Sequence, residues 1–423
     1  MTPFELISML ITIAALLSFF NYRWLRVTPT IGVTMLALSL SLVVVAVGRL
    51  SGVHHWTMSA VSQIDFPQIV LHGMLAFLLF AGSLHLDSVR LRRHKLPVLL
   101  LAVAGTMVST ILVALLMWGV FHLIRLEVSM TACLLFGALI SPTDPIAVLA
   151  ILRSVNGPKR LETLLAGESL FNDGVGAVLF VTLLEASSSG HLPGFLGVAR
   201  LLAVEAGGGI AIGLAAGFLT SALLVRVNDY QTEILLTLAL AMGGYALADA
   251  LHVSAPLEAV VAGLVLSARR EQSSVVSAAA NDYLDKFWEL VDGILNAVLF
   301  MLLGLEMLIM SFPFKFLLAG ALAIPVVLLA RGVTVAGVMT PLHWGRHGLR
   351  SEIALLTWGG LRGGLSLALA LSLPMNGTKD LLLAVTYIVV VFAIVVQGLS
   401  MPALARRDAR RTMAAAATQA AEG

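Results

Sequence analysis

Two short polar runs interrupt long apolar stretches of this chain, and both carry carboxylates. Residues 167–174 read Gly-Glu-Ser-Leu-Phe-Asn-Asp-Gly, and residues 141–145 read Ser-Pro-Thr-Asp-Pro between apolar residues 131–140 and 146–152. Glu168, Asp173 and Asp144 would therefore lie in or beside hydrocarbon, where a charged side chain at the centre of a spanning helix costs about 2.5–3.5 kcal/mol on insertion scales. Three such carboxylates persist where something neutralises or uses them, and the default use is an ion or proton pathway. Thr143, Asp144, Ser169, Asn172 and Asp173 together offer hydroxyl, carboxylate and amide oxygens, and hard cations take oxygen ligands. Ser169 and Asp173 are four apart and share a helix face, with Asn172 close by. Unwinding at Thr143 would free its main-chain carbonyl as a further ligand. A purely structural hydrogen-bond network is the plainer reading, but it gives no reason for carboxylates where Asn or Ser would be less costly.

Glu168 precedes Ser169 and points to a different face from Asp173. Arg331, in Ala-Arg-Gly after an apolar run, needs a counter-charge. A Glu168–Arg331 pair would neutralise both and brace two helices, a structural role rather than a transport role. Arg362, inside Gly359-Gly360-Leu361-Arg362-Gly363-Gly364, is the second candidate partner.

The elements that must hold these residues are set by composition. The chain is 59% hydrophobic and 12% charged, with mean hydropathy +0.97. Soluble domains run near 25% charged, so this is an integral membrane protein. The net charge of +2 is too small to argue for nucleic acid. The one cysteine, Cys133, excludes an intramolecular disulfide and a cysteine-based zinc cluster. No pair of His at metal-ligand spacing lies deep in a span; His343 and His347 are four apart in a loop, a weak candidate for pH sensing. Gly209, Gly213 and Gly217 form a four-spaced small face that reads as close helix packing, and no Lys follows them as a phosphate loop would require. Glu205, Glu258 and Glu306 lie in or near spans, at an interface or at the edge of an access funnel. No cofactor is expected.

Apolar stretches of spanning length fall at about 4–21, 30–48, 66–84, 97–123, 128–152, 163–186, 196–225, 231–251, 255–268, 288–311, 315–339, 351–373 and 380–404, about thirteen in all. The first has Glu5 before it and Arg23 and Arg26 after it, the reverse of a secretory signal, so it reads as a retained span. Of the 26 Lys and Arg, nineteen fall on one side of this partition, including the Arg90–Lys95 and Arg406–Arg411 groups. Only Arg49, Arg125, Arg200, Lys315 and Lys379 fall on the other, and Arg331 and Arg362 fall inside spans. By the positive-inside rule the N-terminus is outside and the C-terminus cytoplasmic. Residues 1–404 form the membrane domain, and residues 405–423 a short basic, Ala-rich cytoplasmic tail. The longest polar interlude, 270–288, reads as an amphipathic helix lying on the cytoplasmic face.

Two spans carry breaks: Pro142 and Pro145 in the fifth, and four glycines around Leu361-Arg362 in the twelfth. Proline removes a backbone donor and glycine loosens a helix. The two are seven spans apart, an odd offset that inverts a repeat in the membrane, and broken helices at matching places in inverted halves point to the substrate site of a secondary transporter.

Phe136-Gly137-Ala138 through Thr143-Asp144-Pro145-Ile146-Ala147-Val148, the 167–174 run, the 359–364 glycines and the Ala330-Arg331 helix together resemble the cation:proton antiporter family of bacterial NhaP and animal sodium/proton exchangers. The resemblance covers nearly the whole membrane portion. It implies an all-α polytopic fold with two unwound crossing helices, and a homodimer built of a dimerisation subdomain and a moving core. It makes Asp173 similar to the family's ion- and proton-carrying carboxylate, Thr143, Asp144 and Ser169 similar to its other cation ligands, and Asn172 to its motif partner. Members with Asn before the Asp are usually electroneutral. One departure is that Phe80-Ala81-Gly82-Ser83 lacks the acid some members place in the third span. The sequence thus reads as a monovalent cation:proton antiporter of a bacterial inner membrane, most simply for Na+, with K+ or Li+ as alternatives. A cation channel and an intramembrane aspartyl protease using Asp144 and Asp173 are the rival classes; the Gly-x-Gly-Asp signature of the latter is absent.

Overall fold

The structure, a computed structural model, describes residues 3–51, 66–154, 157–189, 195–227, 229–272, 278–308, 310, 312–342, 348–374 and 377–408. Among these the regular elements are all helices, with one isolated bridge between Asp144 and Leu361. In chain order they are α1 (Pro3–Phe20), α2 (Pro29–Ser51), α3 (Phe66–Leu84), α4 (Ser88–Arg93), α5 (Lys95–Leu123), α6 (Met130–Ile140), α7 (Ile146–Ser154), α8 (Lys159–Ser189), α9 (Phe195–Leu224), α10 (Tyr230–Ala250), α11 (Ala255–Gln272), α12 (Ala278–Glu306), α13 (Phe314–Leu342), α14 (Leu349–Trp358), α15 (Gly364–Leu371) and α16 (Thr378–Asp408).

Each apolar stretch of the sequence lies on one of these helices or on a broken pair, α6/α7 and α14/α15. Among the described residues nine helices are long and apolar enough to cross a membrane by themselves, and Pro29–Val44 and Met130–Ile140 are shorter apolar helices. Without water to solvate the main chain, a spanning segment must satisfy its own backbone, which is why apolar runs become helices here. Polar caps mark the starts outside the apolar runs. Ser129 accepts from Ala132 N at 3.2 Å, and Asp229 accepts from Thr232 N at 3.0 Å and from its hydroxyl at 2.7 Å. Those donors hold the exposed Asp229 carboxyl below the ordinary carboxylate range.

The helices pack in two groups. One joins α9, α10 and α3 around α11, with α2 against α12; the other joins α5, α6, α8, α13, α14, α15 and α16. The four-spaced glycines seat α9 on α11 as their spacing predicts: Gly209 faces the Ser254 carbonyl, Gly213 the Glu258 carbonyl, and Gly217 the Val265 side chain.

The 270–288 segment is not a helix lying on the surface. Residues 278–288 are the first turns of α12, and residues 273–277 are outside the described set. Arg270 ties the end of α11 to this root through Asn281 Oδ1 at 2.7 Å and Asp285 Oδ1 at 2.8 Å. Leu284 and Trp288, four apart, are buried; the indole packs 4.7 Å from the Phe80 ring and donates to Thr237 Oγ1 at 3.0 Å. The polar residues between them made the stretch look superficial, whereas one apolar stripe is enough to root a long helix. His343, His347 and residues 409–423 of the tail lie outside the described residues.

A methyl group at Gly213 would stand 2.7 Å from the Glu258 carbonyl oxygen and 2.9 Å from Val261 Cβ. Gly213→Ala should therefore lower stability by about 1–3 kcal/mol through overpacking, read as a lower melting temperature of the purified protein. Wild-type melting would mean that α9 and α11 separate without penalty.

Candidate functional site

The two breaks meet. Asp144 N donates to the Leu361 carbonyl at 2.8 Å, an antiparallel contact between the connections α6–α7 and α14–α15. Such a crossing brings four helix ends together in the membrane interior, each with unsatisfied backbone groups and a partial charge. Named side chains answer these ends. Arg362 donates to the Ser141 and Pro142 carbonyls at the C-terminal end of α6, the second at 2.9 Å. Arg331 donates to the Leu356 carbonyl near the end of α14 at 3.2 Å. Asp144 Oδ1 accepts from Ile146 N at 2.9 Å at the start of α7. Gly363, just before α15, lies so close to the Asp144 carboxylate that a Cβ there would collide with it. Asp144 is thus set between the N-terminal ends of α7 and α15, where an anion is favoured.

Glu168 of α8 pairs with Arg331 in a two-pronged contact, Oε1 with Nη1 and Oε2 with Nη2, the latter at 2.8 Å. Both residues are buried. Gly360 makes room for the guanidinium, since a Cβ there would stand 2.7 Å from Arg331 Nε. Of the two arginines the sequence left open as partners, Arg331 takes the glutamate and Arg362 takes main-chain carbonyls. A guanidinium has enough donors, fixed in a plane, for either task.

One helix face further along α8 lie Ser169, Asn172 and Asp173. Ser169 Oγ donates to the Thr143 carbonyl. Asn172 Nδ2 donates to Thr143 Oγ1 at 2.9 Å, and Thr143 N donates to Asn172 Oδ1 at 3.3 Å. The asparagine therefore clips the unwound strand at both its hydroxyl and its amide. The structure brings all eight predicted residues together around the crossing. Glu168, Arg331, Arg362, Thr143, Ser169 and Asn172 are buried and mutually satisfied, apart from Arg331 Nε. Only Asp144 and Asp173 keep partial exposure. They lie within electrostatic reach of each other, and among the described residues no side chain bonds to the Asp173 carboxylate. Two carboxylates, the Thr143 carbonyl with its second lone pair, and two hydroxyls bring carboxylate, carbonyl and hydroxyl oxygens to one place. Among the described residues no group of three or more His, Cys, Asp or Glu forms a metal cage.

Of the two residues that could stand where some members place an acid, Ala81 is fully buried, and Ser83 is buried and donates to the Phe80 carbonyl at 2.8 Å against Gly263. Glu205 is half-buried on α9, and Glu258 is fully buried on α11 beside Gly244. The sequence reading passed over Asp292 and Asn296 of α12. Leu299, on the same face, packs against Gly364, and Asp292 lies within electrostatic reach of Asp144. The signal was the seven-residue step from Asp292 to Leu299.

Crossed broken helices that present carboxylates and freed carbonyls inside a helical membrane protein define a secondary transporter of ions. The sequence profile of the family described as "Sodium/hydrogen exchanger, transmembrane" matches residues 9–407, and the chain belongs to that family. It is 43% identical over 409 residues to the Na(+)/H(+) antiporter NhaP of Pseudomonas aeruginosa, covering 95% of this chain and 96% of the relative. It is 34% identical over 348 residues to the Na(+)/H(+) antiporter NhaH of Halobacillus dabanensis, covering 81% and 83%. Its fold is similar to that of the sodium proton antiporter MjNhaP1 of Methanocaldococcus jannaschii at pH 8, with TM-score 0.74 and 18% identity over 96% of this chain and 99% of that one.

Removing one partner of a buried pair leaves an uncompensated charge and costs about 3–5 kcal/mol. Glu168→Ala and Arg331→Ala should each lose stability on that scale. The double variant should lose less than the sum by about 1 kcal/mol or more, as contacting residues do. Thermal or denaturant unfolding of the four proteins measures this, and strict additivity would reject the pair as a unit.

Proposed function

We propose that this chain is a secondary active antiporter that exchanges Na+ for H+ at Asp173, a transporter and not an enzyme. The observation that carries the reading is the contrast within the site. The polar side chains that hold the crossing are buried and satisfied, whereas Asp173 and Asp144 alone among them keep partial exposure. The cation named for the antiporter relatives favours sodium over K+ or Li+. Family membership also speaks against the channel and protease readings.

Deprotonated Asp173 takes a dehydrated cation, with oxygens of Thr143, Asp144 and Ser169 completing its shell. A proton arriving at the same carboxylate removes the negative charge that held the cation and releases it. Exchange follows from competition for one group. Asn172 and Ser169 keep the unwound strand in register with Asp173. Asp144, held by Ile146 N and set at two helix N-termini, keeps the same charge in both states of the cycle. One cation then replaces one proton, and the cycle moves no net charge. Alternating access follows as the group of helices around α8 and α13 moves against the group around α11, in a homodimer held through the second group. The charge bias supports a bacterial inner membrane location with the N-terminus outside and the C-terminus cytoplasmic.

Asp173→Asn removes the exchanged charge and nearly keeps the shape. Sodium-dependent proton flux in proteoliposomes should fall to background while the protein still folds and purifies; full flux in this variant would sink the assignment. A second outcome concerns charge and pH. The reversal point should follow the Na+ and H+ gradients and ignore an imposed membrane potential, and the rate should be bell-shaped in pH. At low pH protons hold Asp173 against the cation, and at high pH the supply of protons fails. A voltage-dependent reversal point would mean that Asp144 also changes its charge.

A further inference from the structure

Helix α12 carries a polar stripe that the exchange mechanism does not use. Asp292, Leu299 and Glu306 are spaced by seven residues, so they lie on nearly one face, with a drift of about 20° per step. Leu299 fixes where that face points: its side chain fills the space beside Gly364 at the start of α15, next to the crossing. Asp292 therefore stands about 10 Å from the level of the crossing toward the basic side of the membrane, and Glu306 about 10 Å toward the other.

Each carboxylate has a neighbour with an unmet polar atom. Asn296, one turn from Asp292 on the same stripe, turns its Nδ2 back to the Asp292 carbonyl at 2.9 Å. Its Oδ1 is left buried with no partner, although the residue is only 6% exposed. At the other end Glu306 is 4% exposed and its Oε1 has no partner. Tyr387 of α16 is 3% exposed with an unpartnered hydroxyl, within electrostatic reach of Glu306. Buried polar atoms are nearly always satisfied by protein, water or an ion. Here the orphans are acceptors, or a hydroxyl that can accept, and they lie beside acids on the two sides of the level of the crossing. Asp292 also lies within electrostatic reach of His85, just after α3, and of Arg153 at the end of α7, and Glu306 lies within reach of Lys379.

We propose that α12 carries two relay sites for the transported monovalent cation, Asp292 with Asn296 on the cytoplasmic approach and Glu306 with Tyr387 on the outer approach. This rests on the exchange reading above. The relay groups bind the ion partly dehydrated and raise its concentration at Asp173 from the side they face. They are positioned outside the exchange site, so they change how readily each face loads and leave the stoichiometry alone.

The test is sided. Sodium-dependent proton flux is measured in everted and in right-side-out membrane vesicles, titrating Na+ on the accessible face. Asp292→Asn should raise the half-saturating Na+ concentration on the cytoplasmic face by about tenfold, the weight of one unit charge about 10 Å away in a partly buried path, and leave the outer face near wild type. Glu306→Gln should do the reverse. Asp292→Glu should recover most of the loss. Should a carboxylate variant fail to reach the membrane, Asn296→Ala and Tyr387→Phe carry the same sided expectation in smaller measure. Equal shifts on both faces, or none on either, with normal melting would overturn the relay. Absence of exchange by the wild-type protein in the same vesicles would overturn the exchange reading instead.

Discussion

The structure depends on how four helix ends are neutralised inside a membrane. Breaking two spans frees carbonyls and amides where no bulk water can reach them, and each unmet group would cost several kcal/mol. Arg362 answers the end of α6, Arg331 the end of α14, and Asp144 the starts of α7 and α15. Once these ends are met by side chains of opposite sign, the crossing becomes a stable object. Thr143 can then turn its oxygens toward a transported ion. The arginines are the condition for the break, and the break is the condition for the site.

This division explains why six of the eight polar residues at the crossing are buried and only two carboxylates are not. Structural polar groups inside a membrane must be closed off and saturated. Groups that exchange a ligand must stay reachable and under-bonded. Glu168 and Asp173 are five residues apart on one helix and fall on opposite sides of that requirement. The first is locked in a planar double contact with a guanidinium, and the second is left without a protein donor. The same residue chemistry thus serves scaffold and cargo, and the difference lies wholly in its neighbours.

Much of this was legible in the sequence because the membrane makes patterns strict. Apolar runs found their helices, Pro142 and Pro145 and the 359–364 glycines marked the breaks, and the glycines of α9 marked a tight contact. Sequence could not choose between Arg331 and Arg362 as the partner of Glu168. That choice depends on the rotation of α13 about its axis and on the path of the α14–α15 connection, neither of which a periodicity contains. It also misread 278–288, where Asp282, Asp285 and Lys286 outweigh Leu284 and Trp288 in composition although the latter pair decides burial. Asp292 was overlooked for a related reason. One acid in a long helix looks interfacial until Leu299 shows which way its face is turned.

The Glu168–Arg331 contact joins residues 163 positions apart on different helices. Loss of either charge alone leaves the other bare in the interior of the protein. The pair therefore ties α8 to α13 in the interior, so that neither helix can turn about its own axis without unpairing a charge.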